Sequence, residues 1–303
     1  MKDNIKKTLK EISDKFGGKV EFEYQLSRCN TMKTGGSVFA VYMPQNFEEM
    51  IEAKRFLDSA GMKTGVIGRG SNVLMPDGYL DKVIFILNRG DFREIAFDGT
   101  KVFAGGGVWL EELIARSSKQ GLSGLEGLVG IPATVGGAVI TNAGYKDIIS
   151  GNLIKINVID EFYKKVEIDK KDIIFGYHCS SLGKDRIIIS AEFQLTRCNE
   201  IDAKKKIETC FSEKIKKQPL NEKTLGCIFK NPEAHKFSAG ELIELAGMKN
   251  KKCGDAIISN KHANFIVNAG SARSSDIVSL IEDVKGRVKK EFAVELEPEI
   301  EIW

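Results

Sequence analysis

Three absences narrow the reading of this 303-residue chain. No stretch approaches the roughly 20 consecutive apolar residues that cross a bilayer, so no membrane partner is expected. The amino-terminal MKDNIKKTLKEISDKF lacks the apolar core of a signal peptide. Its Ile5, Leu9, Ile12 and Phe16 are instead spaced as one face of a helix that Gly17-Gly18 ends. Neither sign of charge dominates: 45 basic against 42 acidic residues leave +3, without the basic excess of a nucleic-acid binder. Metal- and disulfide-type spacing is missing too. The six cysteines (29, 179, 198, 210, 227 and 253) form no C-x-x-C pair, and the three histidines lie far apart. No metal site and no disulfide framework follow; reduced thiols in a cytoplasmic protein fit best.

What is present is an α+β pattern. VEFEY (20–24) and VFAVYMP (38–44) read as strands, and Asn46 with Glu49 forms a capping box for a helix that Gly61 closes. EIAFDGTKVFA (94–104) predicts a hairpin turning at Asp98-Gly99. WLEELIARSSKQG reads as a helix, and several strand-like runs follow from 153 to 196. Residues 201–217 form a lysine-rich helix, and Ser238 with Glu241 caps another. Ile277, Leu280, Ile281, Val284 and Val288 share one face of the last helix, and AVELEPEIEIW predicts a closing strand. The order lacks the steady βαβ rhythm of a doubly wound parallel sheet. The length suggests two or three domains.

Two glycine-rich segments carry the chemistry: GRGSNVLMPDG (68–78), and GLSGLEGLVGIPATVGGAVITNAG (121–144), with seven glycines in twenty-four residues. Glycine lets the backbone approach a ligand closely, and successive free N–H groups can hold phosphate oxygens. Ser71, Asn72 and Thr134 add side-chain donors. Neither segment is a Walker A loop, because no Gly-Lys-Ser/Thr follows, and neither has the strand–GxGxxG–helix context of a Rossmann fingerprint. A large diphosphate cofactor held mainly by backbone, outside a Rossmann fold, is the reading.

These segments, followed in order by GCIFKNP, AGELIELAGMK, KHANFIVNAG and LEPEIEI, resemble the UDP-N-acetylenolpyruvoylglucosamine reductase family, in its shorter form, from about residue 27 onward. The resemblance implies a two-lobed FAD-binding region of the p-cresol methylhydroxylase type (1–85 and 86–200), then a substrate-binding domain (201–303). It implies non-covalent FAD, cradled by Gly68, Arg69, Gly70, Ser71 and Asn72 and by Gly130, Ile131, Pro132, Thr134, Gly136 and Gly137, with Asn142, Ala143 and Gly144 nearby. NADPH is then the hydride donor, and the enolpyruvyl group of a sugar nucleotide is the acceptor.

Hydride addition to that group leaves enolate-like charge, which needs stabilising groups and an acid to protonate the α-carbon. The family's acid is a serine in GSxFKNP, so the resemblance assigns the role to Cys227, a thiol of ordinary pKa near 8.5 and a readier proton donor than an alcohol. Its stabilising glutamate maps to Glu299, though Glu297 and Glu301 alternate onto the same face. Tyr177, Lys230, Asn231 and His262 are the expected substrate contacts, with Asn264 a weaker candidate.

The pattern breaks at FGYHCSSL, where His178 stands in place of the family arginine and cannot make its paired hydrogen bonds. Ala133 replaces a glycine, and the segment after Gly144 is rebuilt. The alternative these departures raise is a flavin- or sugar-nucleotide-binding paralogue with weak or lost turnover.

Overall fold

Helical and alternating apolar patterns become seven α-helices and a set of short strands in the computed structural model, which describes residues 1–183, 186–233 and 235–303. The described chain divides into two units. The first comprises Met1–Tyr24, Val38–Arg69 and Asp81–Ser212; the second comprises Gln25–Ser37, Gly70–Leu80 and Glu213–Trp303.

The first unit has two cores. In one, α1 (Lys2–Phe16) and α2 (Phe47–Ser59) share a core with a sheet ordered Lys19–Gln25, Ser37–Met43, Leu80–Phe85 and Thr64–Val66. Ile5, Leu9 and Ile12 are buried as their spacing predicts, and Gly17 ends α1 at φ +86°. Asn46 caps α2 by accepting from the Glu49 N–H at 2.9 Å. Glu49 does not close the expected box. Its buried carboxylate accepts instead from the Gln45 N–H at 2.7 Å and the Tyr42 hydroxyl at 2.8 Å, because the side chain enters the core.

The other core lies on an antiparallel sheet ordered Lys165–Asp169, Leu153–Ile159, Ile188–Gln194, Lys101–Gly105 and Ile95–Asp98. Side chains of α3 (Leu110–Lys119) and α4 (Val135–Ile140) complete it. The expected hairpin is present, but Asp98 pairs with Lys101, so the loop is Gly99-Thr100, one residue further on. Gly99, at φ +59°, sets that register.

The stripe of α5 (Glu200–Lys217) buries Ala203, Cys210 and Lys214, with Ile207 packed against the second core of the first unit. In the second unit, an antiparallel sheet ordered Thr224–Cys227, Phe265–Asn268, Ala256–Ile258 and Lys252–Cys253 shares a core with α6 (Ala239–Leu245) and α7 (Ser274–Phe292). The Ser238–Glu241 capping box forms, and the predicted α7 face is buried throughout. Two early segments complete this unit. Asp77 accepts from the N–H groups of Ser274 and Ser275 at 2.7 and 2.9 Å, so a residue of the first glycine segment caps α7.

The closing strand is shorter than its alternation predicts. Only Glu301–Ile302 forms a strand, parallel to Val73–Leu74, and a single antiparallel bridge joins Pro298 to Phe229 ahead of it; Ala293 turns left-handed at φ +56° and Pro298 has no N–H to extend a ladder.

Candidate active site

The segment 68–72 runs across the point where the chain leaves the first unit. Among the described residues, none of its five backbone N–H groups donates to a protein acceptor, the arrangement that phosphate oxygens require. Gly68 has no room for a side chain: a Cβ there would sit 2.5 Å from Thr134 Oγ1. Arg69 lies 4.6 Å over the Trp109 ring and pairs with Glu111 at 2.8 Å, and Arg93 lies 4.8 Å over the same ring.

The stretch 130–137 behaves differently. Most of its donors serve the protein: Val135 N–H bonds Val108 O, Gly136 N–H bonds Gly106 O (both 2.8 Å), and Gly137 N–H bonds the Thr134 hydroxyl at 3.3 Å. What it offers a ligand is a close backbone and, among the described residues, the N–H groups of Gly130 and Thr134, which donate to no protein acceptor. Ala133 is accommodated: its methyl packs against the core, and its φ is not left-handed. The segment after Gly144 folds back on itself through a Gly144–Ile148 bridge and an Ile149 N–H to Ala143 O bond of 2.9 Å.

Asn142, buried at φ +46°, donates through Nδ2 to Gly176 O at 2.9 Å, while its Oδ1 is buried with no partner among the described residues. That oxygen is an acceptor held ready for a ligand N–H or O–H. The same bond ties Asn142 to the hairpin Phe175–Gly176/Cys179–Ser180, whose tip carries Tyr177 and His178. Tyr177 is exposed, and the His178 ring stands edge-on to it at 4.3 Å. Free N–H groups, a glycine against Thr134 and an orphaned acceptor suit a dinucleotide with phosphates and a polar ring.

In the second unit, Gly226 (φ +81°) lies within a break in strand register between Thr224 and Cys227, a bulge that re-aims Cys227. Asn264, buried, holds the following residues. Its Oδ1 accepts from the Phe229 N–H at 2.9 Å, its Nδ2 donates to Phe229 O at 2.8 Å, and its carbonyl accepts from the Ile228 N–H. The Asn264 side chain also hydrogen-bonds the Cys227 thiol. The Glu299 N–H donates to Ile228 O at 2.8 Å, and Asn72 Nδ2 reaches Glu299 O at 3.4 Å. Cys227, Asn264 and Glu299 are thus brought together, which distinguishes Glu299 from exposed Glu297 and from Glu301, bound to the Trp303 indole at 3.0 Å.

The thiol's acidity departs from expectation. Burial, helped by the Glu299 charge, pushes the Cys227 pKa up to about 12, against the opposing pull of Lys214 and the Asn264 hydrogen bond. At neutral pH the thiol holds its proton. Since the thiolate is the form that oxidises, the same burial protects it from oxidation. Lys214, itself buried, is pushed down to about 8 by burial, with the Cys227 charge acting the other way.

The remaining candidates have structural attachments. Lys230 pairs with Glu297 at 3.4 Å on the surface. Asn231 Oδ1 accepts from the Ala239 N–H at the start of α6. His262 Nδ1 accepts from the Asn264 N–H at 3.3 Å, its ring meets Phe265 edge-on, and burial followed by the Lys249 charge lowers its pKa. Sequence reasoning passed over Lys214, although its place on the Ala203–Ile207–Cys210 stripe was a readable signal.

Comparison with known proteins matches residues 218–303 to the family "UDP-N-acetylenolpyruvoylglucosamine reductase, C-terminal domain" and residues 39–160 to the family "FAD binding domain". A UDP-N-acetylenolpyruvoylglucosamine reductase from Syntrophus aciditrophicus is 36% identical over 98% of this chain and 95% of its own length. One from Halalkalibacterium halodurans is 37% identical, covering 94% of each. The crystal structure of the Thermus caldophilus enzyme superposes with a TM-score of 0.80 at 32% identity, covering 94% of this chain and 98% of that one.

Proposed function

The chain belongs to the UDP-N-acetylenolpyruvoylglucosamine reductase family, and on that premise we propose that Cys227 is the proton donor of its reaction, with Glu299 beside it. The enzyme reduces the enolpyruvyl group of UDP-N-acetylglucosamine enolpyruvate to UDP-N-acetylmuramate, a peptidoglycan precursor, with NADPH as hydride source. FAD, when bound, supplies the hydride that reaches the enolpyruvyl CH₂ carbon. The residues suited to hold it are 68–72 through their N–H groups, Gly130, Ile131, Pro132, Thr134, Gly136 and Gly137 through close backbone, and Asn142, Ala143 and Gly144 through the orphaned Asn142 acceptor.

The protein's own task is the charge and the proton. Cys227 gives its S–H proton to the α-carbon, forming a C–H bond and leaving a thiolate. A thiol near pKa 12 is still a far stronger acid than a carbon next to a carboxylate, so the transfer runs downhill. Asn264 orients the thiol through its hydrogen bond. Glu299 stands beside the thiol in the position that the family resemblance gives to its stabilising glutamate. His178 takes the place of the stabilising arginine, and Tyr177, Lys230, Asn231 and His262 are the proposed contacts to the sugar nucleotide. The reaction runs in the cytoplasm, without nucleic-acid or membrane partners; among the described residues no helix is long and apolar enough to cross a membrane.

The observation that carries this reading is the convergence of Cys227, Asn264 and Glu299 inside GCIFKNP and its neighbours. The test is anaerobic. Bound flavin is reduced with one equivalent of NADPH, the enolpyruvyl sugar nucleotide is added, and flavin absorbance and product are followed. Rapid reoxidation with product is expected from wild type and Cys227→Ser. Cys227→Ala should accept hydride from NADPH yet form product about 10²- to 10⁴-fold more slowly. Wild-type turnover by the alanine variant removes the acid assignment.

A further inference from the structure

The turn 259–264 joins strands Ala256–Ile258 and Phe265–Asn268 of the second unit. Hydrogen bonds from the Ser259 N–H to Phe265 O at 2.8 Å and from the Phe265 N–H to His262 O at 3.0 Å close it. Within it, His262 Nδ1 accepts from the Asn264 N–H at 3.3 Å. An accepting Nδ1 carries no proton, so the ring is the neutral tautomer protonated at Nε2. Burial, then the Lys249 charge, favours that neutral form against the opposing pull of Glu244. Two other contacts seat the ring. It meets Phe265 edge-on at 4.8 Å, and α6 packs so close that a Cβ on Gly240 would lie 3.1 Å from His262 Cε1 and 3.7 Å from Asn264 Cβ.

Asn264, 3% exposed, connects this turn to the strand of the proton donor. Its carbonyl accepts from the Ile228 N–H at 2.9 Å, and its side chain binds both polar groups of Phe229 at 2.9 and 2.8 Å. Cys227 pairs across the ladder with Phe265, the residue after Asn264, at the end of a register break. A bulge interrupts the ladder that would otherwise hold a strand in place. At this bulge the Asn264 contacts hold residues 228 and 229.

We propose that His262 is a positioning residue for the proton donor: by accepting from the Asn264 N–H, it fixes the side chain that holds the backbone next to Cys227. This rests on Cys227 being the acid. The histidine acts through Asn264 and exchanges no proton with the substrate. Without Nδ1 the buried Asn264 N–H loses its acceptor, and an unsatisfied buried donor is costly enough to turn the peptide toward another partner. The Asn264 side chain turns with it, and the thiol is carried off the line of transfer. Proton transfer is steep in geometry, so a displacement of about 1 Å is felt in the rate.

The test compares holoenzyme of wild type with three variants. His262→Leu has no acceptor, His262→Asn places Oδ1 where Nδ1 stands, and Gly240→Ala crowds the ring without removing a polar group. Bound flavin, read from visible absorbance, reports folding and should match wild type in all three. The kcat for reduction of the enolpyruvyl sugar nucleotide should fall about tenfold in His262→Leu, less in Gly240→Ala, and stay close to wild type in His262→Asn. A loss confined to KM makes His262 a substrate contact alone and overturns the proposal, as does His262→Asn falling as far as His262→Leu. Should His262→Leu fail to hold flavin, an unchanged kcat in Gly240→Ala overturns it instead. Added to Cys227→Ala, His262→Leu should slow product formation no further, because the histidine acts only through the thiol. The two readings fail separately: full turnover by Cys227→Ala removes the acid, whereas additive losses in the double variant remove the part played by the histidine.

Discussion

Replacing Lys214 by methionine should make the protein more stable. The side chains are of similar length, and the position is enclosed. The native fold holds the Lys214 ammonium near pKa 8 in place of 10.5, and at 1.36 kcal/mol per pKa unit this is about 3 kcal/mol of stability forgone at neutral pH. Below pH 8 both folded and unfolded chains carry the proton, and the penalty is complete. Between 8 and 10.5 the native chain has shed a proton that the unfolded chain keeps, so stability rises with pH relative to the variant. Above 10.5 the difference is gone. The Cys227 contribution acts in both proteins and cancels to first order.

Urea denaturation at pH 7 should therefore show Lys214→Met ahead by about 2–3 kcal/mol, and at pH 10.5 the two should coincide. A variant less stable than wild type at pH 7, or one whose advantage persists unchanged at pH 10.5, would refute the argument.

Gly68→Ala drives a Cβ to 2.5 Å from the Thr134 hydroxyl that caps α4; the purified protein should fold but carry several-fold less flavin, read from its visible absorbance. Asn264→Ala leaves the buried Phe229 N–H and C=O without their side-chain partner and should cost about 2–4 kcal/mol; a loss under about 0.5 kcal/mol in urea would contradict that accounting. Asp77→Ala removes the acceptor of the first α7 N–H groups and should cost about 1 kcal/mol at neutral pH. Burial raises the Asp77 pKa, but hydrogen bonds from Ser275 and Ser274 outweigh it and leave the carboxyl below its ordinary value. Its contribution is therefore present above the ordinary carboxyl range and lost as pH falls through the lowered value. Thermal melts of both proteins should accordingly converge in acid.

Local signals were legible because the interactions behind them are local. The α7 stripe, the Ser238–Glu241 box and the end of α1 at Gly17 each depend on residues within a few positions of one another. Motif order alone identified the family, and with it FAD. Near misses had two causes: burial drew the Glu49 side chain into the core toward Tyr42, and the backbone of Ala293 and Pro298 broke the alternation that predicted a long final strand.

The chemistry of the site was decided by contacts far apart in sequence. Alternation put Glu297, Glu299 and Glu301 on one face; only the bond from the Glu299 N–H to Ile228 O sets one of them beside Cys227. The reference acidity of a thiol suggested an easy acid, yet burial moved Cys227 to about 12. Lys214 was one lysine among many in a lysine-rich helix until the fold placed it in the interior. Sequence determined which groups are present and in what order. Tertiary structure decided their charge, because desolvation and Coulomb interaction depend on what surrounds a group in space rather than along the chain.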